Sequence, residues 1–337
     1  RPGAERRVAL AEGGLLAPHW PAPYGRDADP VEQLVIDQEL AAAGIERPDL
    51  KIGGWAAPTI LAHGSDAQRD RFLGPTLRGE VTWCQLFSEP GAGSDLAGLR
   101  TRAVRDGTGW RLTGQKVWTS LAHRADWAIC LARTTPLQEG GRPQAGITYF
   151  LVDMSSAGID IRPLRELTGE SMFNEVFLDG VLVPDDCVVG EVDGGWRLAG
   201  TTLANERVAM AGTRLGESVE RALALYDDAG TADRELIGRA VAWATVVELL
   251  GTRATLRSLA GRGPGAESSV AKLVGVRSRQ DSAELVVELL GQRVLGGDDL
   301  ATAAWHELLL TRCLSIAGGT TQVMRNVAGE RILGLPR

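Results

Sequence analysis

The apolar periodicity of this chain changes twice, and that double change restricts the fold more than any one motif does. Over residues 1 to about 80 the pattern is helical. Asp29 and Pro30 supply an N-cap and a first-turn proline, Val31, Leu34, Val35 and Leu40 recur at helical spacing, and Gly44 stands where a helix would close. A second helix is expected after Ser65, with Phe72 and Leu73 on its apolar side, and the run His19 to Gly25 reads as a turn-rich loop. From about Val81 the period falls to two. Residues 81–87, 99–105, 110–113, 127–132, 146–153 and 175–183 are short runs rich in β-branched and aromatic residues, punctuated by Asp106-Gly107 and Gly140-Gly141, and they predict an antiparallel meander or small barrel. After Asp193-Gly194-Gly195 the helical period returns. Residues 196–226, 233–260, 268–294 and 302–314 form four long segments, followed by a short helix from Thr320, as in a four-helix bundle. The expected fold is α+β and multidomain: an N-terminal helical domain over 1–80, an antiparallel β-barrel or sandwich over 81–192, and a C-terminal four-helix bundle over 193–337.

Composition removes several function classes. The net charge is −7 with no basic stripe, which argues against a nucleic-acid partner. No apolar run approaches the roughly 20 residues that span a bilayer, so no membrane is expected. Cys84, Cys130, Cys187 and Cys313 form no CxxC pair, which suggests neither a disulfide framework nor zinc, and leaves reducing cytoplasm as the expected compartment. His19, His63, His123 and His306 lack partners at metal spacing, so no metal is expected and they read as structural histidines. Lys272, among arginines, reads as a solvated helix charge.

Three segments carry chemistry. Cys84-Gln85-Leu86-Phe87-Ser88-Glu89-Pro90-Gly91-Ala92-Gly93-Ser94-Asp95 turns from strand residues into a small-residue loop. It is either a plain turn or a loop whose amides and hydroxyls meet a flat polar ring or a phosphate. No strand-to-helix GxGxxG unit accompanies it, so a Rossmann reading fails. Gly114-Gln115-Lys116-Val117-Trp118-Thr119-Ser120 follows, and Ile316-Ala317-Gly318-Gly319-Thr320-Thr321-Gln322-Val323-Met324-Arg325 lies near the C-terminus. Together these segments resemble the acyl-CoA dehydrogenase flavoproteins over nearly the whole chain. The resemblance implies FAD, with Phe87 and Ser88 at the pyrimidine end of the ring, Gly93 and Ser94 near flavin and CoA thioester, Trp118 against one ring face and Ser120 toward N5. Thr320 and Gln322 would reach the adenosine half. Trp118 taken alone reads equally as a core tryptophan. Relative to the family, one or two N-terminal helices are missing before Arg1, through truncation or disorder.

The catalytic base is the informative puzzle. Many family members carry a glutamate immediately before the Gly-Thr of the C-terminal motif, where this chain has Gly318, which cannot take a proton. The branch resembling isovaleryl-CoA and long-chain enzymes places it on the first bundle helix before an arginine, and here that site reads Leu203-Ala204-Asn205-Glu206-Arg207. Glu206 is therefore the candidate base, and Arg207 the candidate for orienting it or for meeting a neighbouring charge of the ligand, against the alternative that Glu206 forms an ordinary ion pair on a helix face. The Gly318 N–H would still reach the thioester carbonyl. Ala317 and Gly318 remove bulk where relatives carry Tyr and Glu, which favours a branched or bulky acyl group.

Two departures bear on assembly. The family's RKTFG-like run, which reaches a neighbour's FAD, is missing between Tyr226 and Arg234, and Glu288-Leu289-Leu290-Gly291-Gln292 replaces a Gln-x-x-Gly-Gly segment. The expectation is either the family's homotetramer or an α2β2 heterotetramer with a related subunit. The resemblance implies acyl-CoA as substrate and an electron-transfer flavoprotein as redox partner. A FAD-poor partner subunit and a same-fold oxidase or monooxygenase stand as alternatives.

Overall fold

The computed structural model describes residues 2–211, 216–226, 230–259 and 265–336, and the chain divides into two compact units. The first is Arg1–Glu166 with Glu170–Asn205, the second Leu167–Gly169 with Glu206–Arg337. The first unit opens with α1 (Pro2–Glu12), α2 (Pro30–Ala42), α3 (Gly53–His63) and α4 (Asp66–Arg78). α2 begins as its sequence implies. The Asp29 carboxylate accepts the N–H groups of Val31 and Glu32 at 2.7 and 2.9 Å, and Glu32 accepts the Asp29 N–H at 2.9 Å, a reciprocal cap. At the other end Gly44, at φ +65°, lets the Ile45 N–H reach the Leu40 carbonyl at 2.8 Å. Ser65 and Gln68 cap α4 in the same way. The unforeseen element is α3. Two glycines at its start and Pro58 inside it argue against a helix, yet Ala56, Ala57 and Ile60 are wholly buried, and that packing overrides the local signals.

The sheet comprises β1 (Trp83–Leu86), β2 (Arg102–Asp106), β3 (Gly109–Ser120), β4 (Trp127–Arg133), β5 (Ile147–Asp153), β6 (Ile159–Leu164), β7 (Phe173–Pro184) and β8 (Val188–Val189). Its order is β6-β7-β3-β2-β4-β5-β8, with β1 beside β4. The wholly antiparallel expectation is corrected here, because the sheet is mixed. β1 runs parallel to β4, pairing Trp83 with Trp127 and Leu86 with Cys130, and β2 meets β4 in parallel at Arg102 and Arg133. The cause is the long connection after β1, which prevents a tight hairpin. The Asp106-Gly107 hairpin does form, with Gly107 at φ +58°. β4 and β5 are buried almost throughout, as central strands covered on both faces are. β6 alternates from Ile159 to Arg162 but is short and carries Pro163, as an edge strand can, and β8 has only two residues, so neither stands out in the sequence.

The return to helix begins with α5 (Gly195–Ala211). Asp193, at φ +66°, donates its N–H to Thr148 Oγ1 at 2.7 Å and accepts the Thr134 and Thr135 hydroxyls at 2.5 and 2.8 Å. A Cβ on Gly195 would stand 2.6 Å from the Thr148 carbonyl carbon, so only glycine starts the helix there. Two turns later Thr202 Oγ1 sits between Thr59 Oγ1 at 2.8 Å and the Tyr149 hydroxyl at 3.0 Å, all buried. Thr202→Val is expected to cost about 1–3 kcal/mol, because two buried hydroxyls lose a partner. An unchanged urea midpoint would contradict that.

In the second unit α6 (Glu217–Ala224), α7 (Thr231–Leu259), α8 (Glu267–Leu290) and α9 (Asp299–Thr311) enclose Ala222, Ile237, Leu285, Val286, Leu290, Val294 and Ala304, and α10 (Thr321–Arg331) follows. The run 196–226, expected as one segment, carries both α5 and α6; residues 212–215 lie outside the described residues.

Candidate active site

The loop after β1 leaves the sheet through Phe87, which is buried and meets the Tyr149 ring edge-on at 6.0 Å. Ser88 is half-buried and its carbonyl accepts the Val117 N–H at 2.9 Å, tying the loop to β3. Glu89 and Ala92 exchange N–H···O bonds of 3.1 and 3.0 Å around Pro90-Gly91, a two-residue turn. Gly93 and Ser94 are exposed. Neither Gly91 nor Gly93 has a positive φ, and a Cβ on either would meet nothing within 4 Å, so the chain's own packing gives no reason for glycine. The loop therefore forms an open shelf of small residues that a flat ring can approach closely.

Trp118 stands beside that shelf for a definite reason. Between Lys116, paired with Val176, and Thr119, paired with Asn174, β3 carries one residue more than β7. This bulge puts Trp118 at φ +59° and turns its ring outward, 62% exposed, with its edge against Phe173 at 6.2 Å. A core tryptophan is thus ruled out. A bulky residue in the left-handed region is strained, and it persists because both ends of the bulge are fixed. Asn174, fully buried, donates to the Thr119 and Met172 carbonyls at 3.0 and 3.3 Å, and Ser120 pairs with Phe173. The Thr119 hydroxyl is buried with no partner among the described residues. Trp118→Gly is expected to stabilise the cofactor-free chain by about 1–2 kcal/mol by releasing that strain, while weakening flavin retention. A fall in both thermal midpoint and flavin content would contradict this account.

The other end of the bulge is held by charge. Lys116 is fully buried, and its Nζ donates to Glu89 Oε1 at 2.9 Å and to the Phe87 and Leu131 carbonyls at 3.0 and 2.8 Å. Glu89 also accepts the N–H groups of Arg100 and Thr101 at 2.6 and 2.8 Å. Burial by itself raises the Glu89 carboxyl, but the Lys116 charge and these donors outweigh it and hold the group below the usual carboxylate range. Sequence reasoning quoted both residues inside its motifs and missed their role. A signal existed: the period of two that buries Leu112 also turns Lys116 inward, and an inward lysine requires a partner.

The other candidates belong to the second unit. Glu206 lies on α5 and is half-buried; the side chain of Arg207 lies outside the described residues. Ala317, Gly318 and Gly319 form the loop before α10, with Gly318 at φ +64° and Gly319 at φ +98°. A Cβ on Gly319 would fall 2.5 Å from Met324 Cε. Thr320 caps α10, its hydroxyl accepting the Val323 N–H at 3.2 Å, and Gln322 is exposed. Lys272 requires correction. It is no solvated charge but a buried one, 2% exposed, donating to the carbonyls of Ala317 and Gly319. A signal existed here too: Ser269, Lys272, Val276, Ala283, Val286 and Leu290 are all buried and share a three-and-four spacing along α8, which puts Lys272 on the inward face.

Comparison with known proteins identifies the family. The acyl-CoA dehydrogenase N-terminal, middle and C-terminal domain models match residues 2–80, 84–181 and 193–333. Acyl-CoA dehydrogenase FadE34 of Mycobacterium tuberculosis is 60% identical over 339 residues, covering 100% of this chain and 47% of that protein, so the chain spans about half of that relative's length. Among solved structures, the Tcur3481-Tcur3483 steroid ACAD superposes with a TM-score of 0.84 at 29% identity, covering 99% of this chain and 89% of that one. The ChsE4-ChsE5 complex from Mycobacterium tuberculosis gives 0.81 at 31% identity, with 99% and 90% covered. With each part of the chain matched in order and over its whole length, this protein belongs to the acyl-CoA dehydrogenase family of FAD-dependent oxidoreductases.

Proposed function

We propose that this chain dehydrogenates a bulky acyl-CoA thioester between its α and β carbons, with Glu206 as the base. The observation that carries the reading is the complementary pair of positions: a carboxylate at 206, and at 318 a glycine at φ +64°, a conformation that disfavours the glutamate other family members place there. Glu206 takes the α-proton, the β-hydrogen leaves with its electron pair as hydride, and a trans-2-enoyl thioester remains. FAD, when bound, supplies the hydride acceptor. Phe87 and Ser88 would hold the pyrimidine end of its ring, Gly93 and Ser94 would give close approach, Trp118 would exclude water from one face, and Ser120 would lie toward its hydride-accepting side. Thr320 and Gln322 serve the adenosine half. The open shelf, the outward Trp118 ring and the unpartnered Thr119 hydroxyl support this fit. Arg207 orients Glu206. Desolvation by an apolar acyl group would raise the Glu206 carboxyl toward working pH and strengthen it as a base.

Ala317 and Gly318 leave room for a polycyclic acyl group, and the solved relative named a steroid ACAD suggests that chemistry. The enzyme is reoxidised by an electron-transfer flavoprotein and assembles as a homotetramer or with a related second chain. A specific observation favours the second arrangement. Glu288 is exposed at the end of α8, where an acidic side chain would oppose a neighbour's pyrophosphate, and Arg234, a possible substitute cation, lies over the Tyr226 ring at 4.8 Å. The test is product analysis: a steroid-type acyl-CoA and a short straight-chain one are incubated with a dye acceptor. The expected product is the steroid-type enoyl thioester, lighter by two hydrogens. Preference for the short chain would contradict the substrate class, and oxygen uptake without dye would indicate an oxidase.

A further inference from the structure

Lys272 carries a charge into the second unit's interior and spends it on two backbone carbonyls, those of Ala317 and Gly319. A buried ammonium is tolerated only where acceptors replace water, so its place on α8 fixes the direction of both carbonyls. The peptide planes do the rest. In a trans peptide the C=O of one residue and the N–H of the next point in opposite directions. With the Ala317 and Gly319 carbonyls turned to Lys272, the N–H groups of Gly318 and Thr320 point away from it. Neither N–H meets an acceptor among the described residues. Both intervening glycines have positive φ, a path that side chains with Cβ resist.

We infer that Lys272 is a positioning residue for the proposed reaction: by gripping the carbonyls on either side of Gly318 it presents the Gly318 N–H as the fixed donor to the thioester carbonyl. This rests on the dehydrogenase reading above. The role is indirect, since Lys272 acts through the backbone carbonyls of Ala317 and Gly319. Its consequence is direct, because charge gathers on the thioester oxygen as the α-proton leaves, and a donor already aimed there needs no rearrangement.

The test separates enolisation from hydride transfer. The FAD-loaded protein is given an arylacetyl-CoA, which has an exchangeable α-proton and no β-hydrogen to lose, and α-exchange is followed in D2O. Infrared spectra with a 13C-labelled carbonyl report polarisation of the bound thioester. Lys272→Met is expected to slow exchange roughly 10- to 100-fold, less than the roughly 10²- to 10³-fold of deleting such a donor outright because the N–H is loosened and not removed, and to return the carbonyl stretch toward its solution value with affinity little changed. Lys272→Gln, which can hold one carbonyl, should fall between. Wild-type exchange and an unshifted stretch in both variants overturn the inference. So does loss of FAD or of the folded state in both, which assigns Lys272 to the scaffold alone. Undiminished exchange in Glu206→Gln instead overturns the reading beneath it, whatever the Lys272 variants do.

Discussion

Glu206→Gln is expected to slow flavin reduction by acyl-CoA about 10²- to 10⁴-fold, the range that a positioned general base contributes, while flavin content and thermal midpoint stay near wild type. The amide keeps the shape of the side chain and removes only its ability to take a proton. Adding Gly318→Glu to that variant is expected not to restore the rate. At φ +64° a glutamate pays roughly 1–2 kcal/mol in backbone strain, and relief of that strain would carry its carboxylate away from the α-carbon. Stopped-flow bleaching of the three proteins decides the matter. A residual rate within tenfold of wild type in Glu206→Gln would place the base elsewhere, and recovery in the double variant would return it to the position of Gly318.

Lys116→Met is expected to cost about 3–5 kcal/mol at neutral pH, because it strands the Glu89 carboxylate in the interior, and to empty the protein of flavin, since the same ammonium holds the Phe87 carbonyl and the end of the bulge. The pH dependence should change sign. In wild type the Glu89 carboxyl lies below its ordinary value of 4.5, so its stabilising contribution is complete above that value and is lost as pH falls through the depressed one. Without Lys116 burial dominates and the folded-state value rises above 4.5; stability is then present at low pH and lost as pH rises through the raised value. Urea midpoints should therefore fall in wild type only as pH drops below 4.5, and in the variant as pH rises above 4.5 toward neutrality. Adding Glu89→Gln should recover part of the loss by removing the buried charge. Parallel profiles for wild type and Lys116→Met would show that the pair is not what holds this loop.

Much of the architecture was legible because it rests on local period. The Asp29 and Ser65 caps, the Asp106-Gly107 hairpin and the transition at Asp193-Gly194-Gly195 each have a side-chain or φ requirement that the sequence states directly. What stayed hidden depends on partners distant in sequence. α3 is helical because Ala56, Ala57 and Ile60 are enclosed, not because its residues favour helix, and β1 joins β4 in parallel only after forty residues intervene. In the site, the motif residues were visible and their support was not. Trp118 was recognisable as an aromatic at a strand end, but its outward turn follows from a bulge whose register is set by β7. Lys272 read as a solvated helix charge, and Lys116 was quoted in its motif with no role. Periodicity could have turned both inward, but what they hold there is seen only where the carbonyls of Phe87 and Leu131, or of Ala317 and Gly319, converge on them.

The measurement that bears most directly on the whole reading is anaerobic flavin bleaching. The chain is purified alone, its flavin content per subunit recorded, and a steroid-type acyl-CoA added. Flavin bound in the isolated chain and bleached by that thioester, with no bleaching in Glu206→Gln, is the expected result. An isolated chain that holds no flavin, and whose Glu206→Gln form supports as much activity as wild type once a second, related chain is supplied, would contradict it, and would make this protein the supporting subunit of another chain's active site.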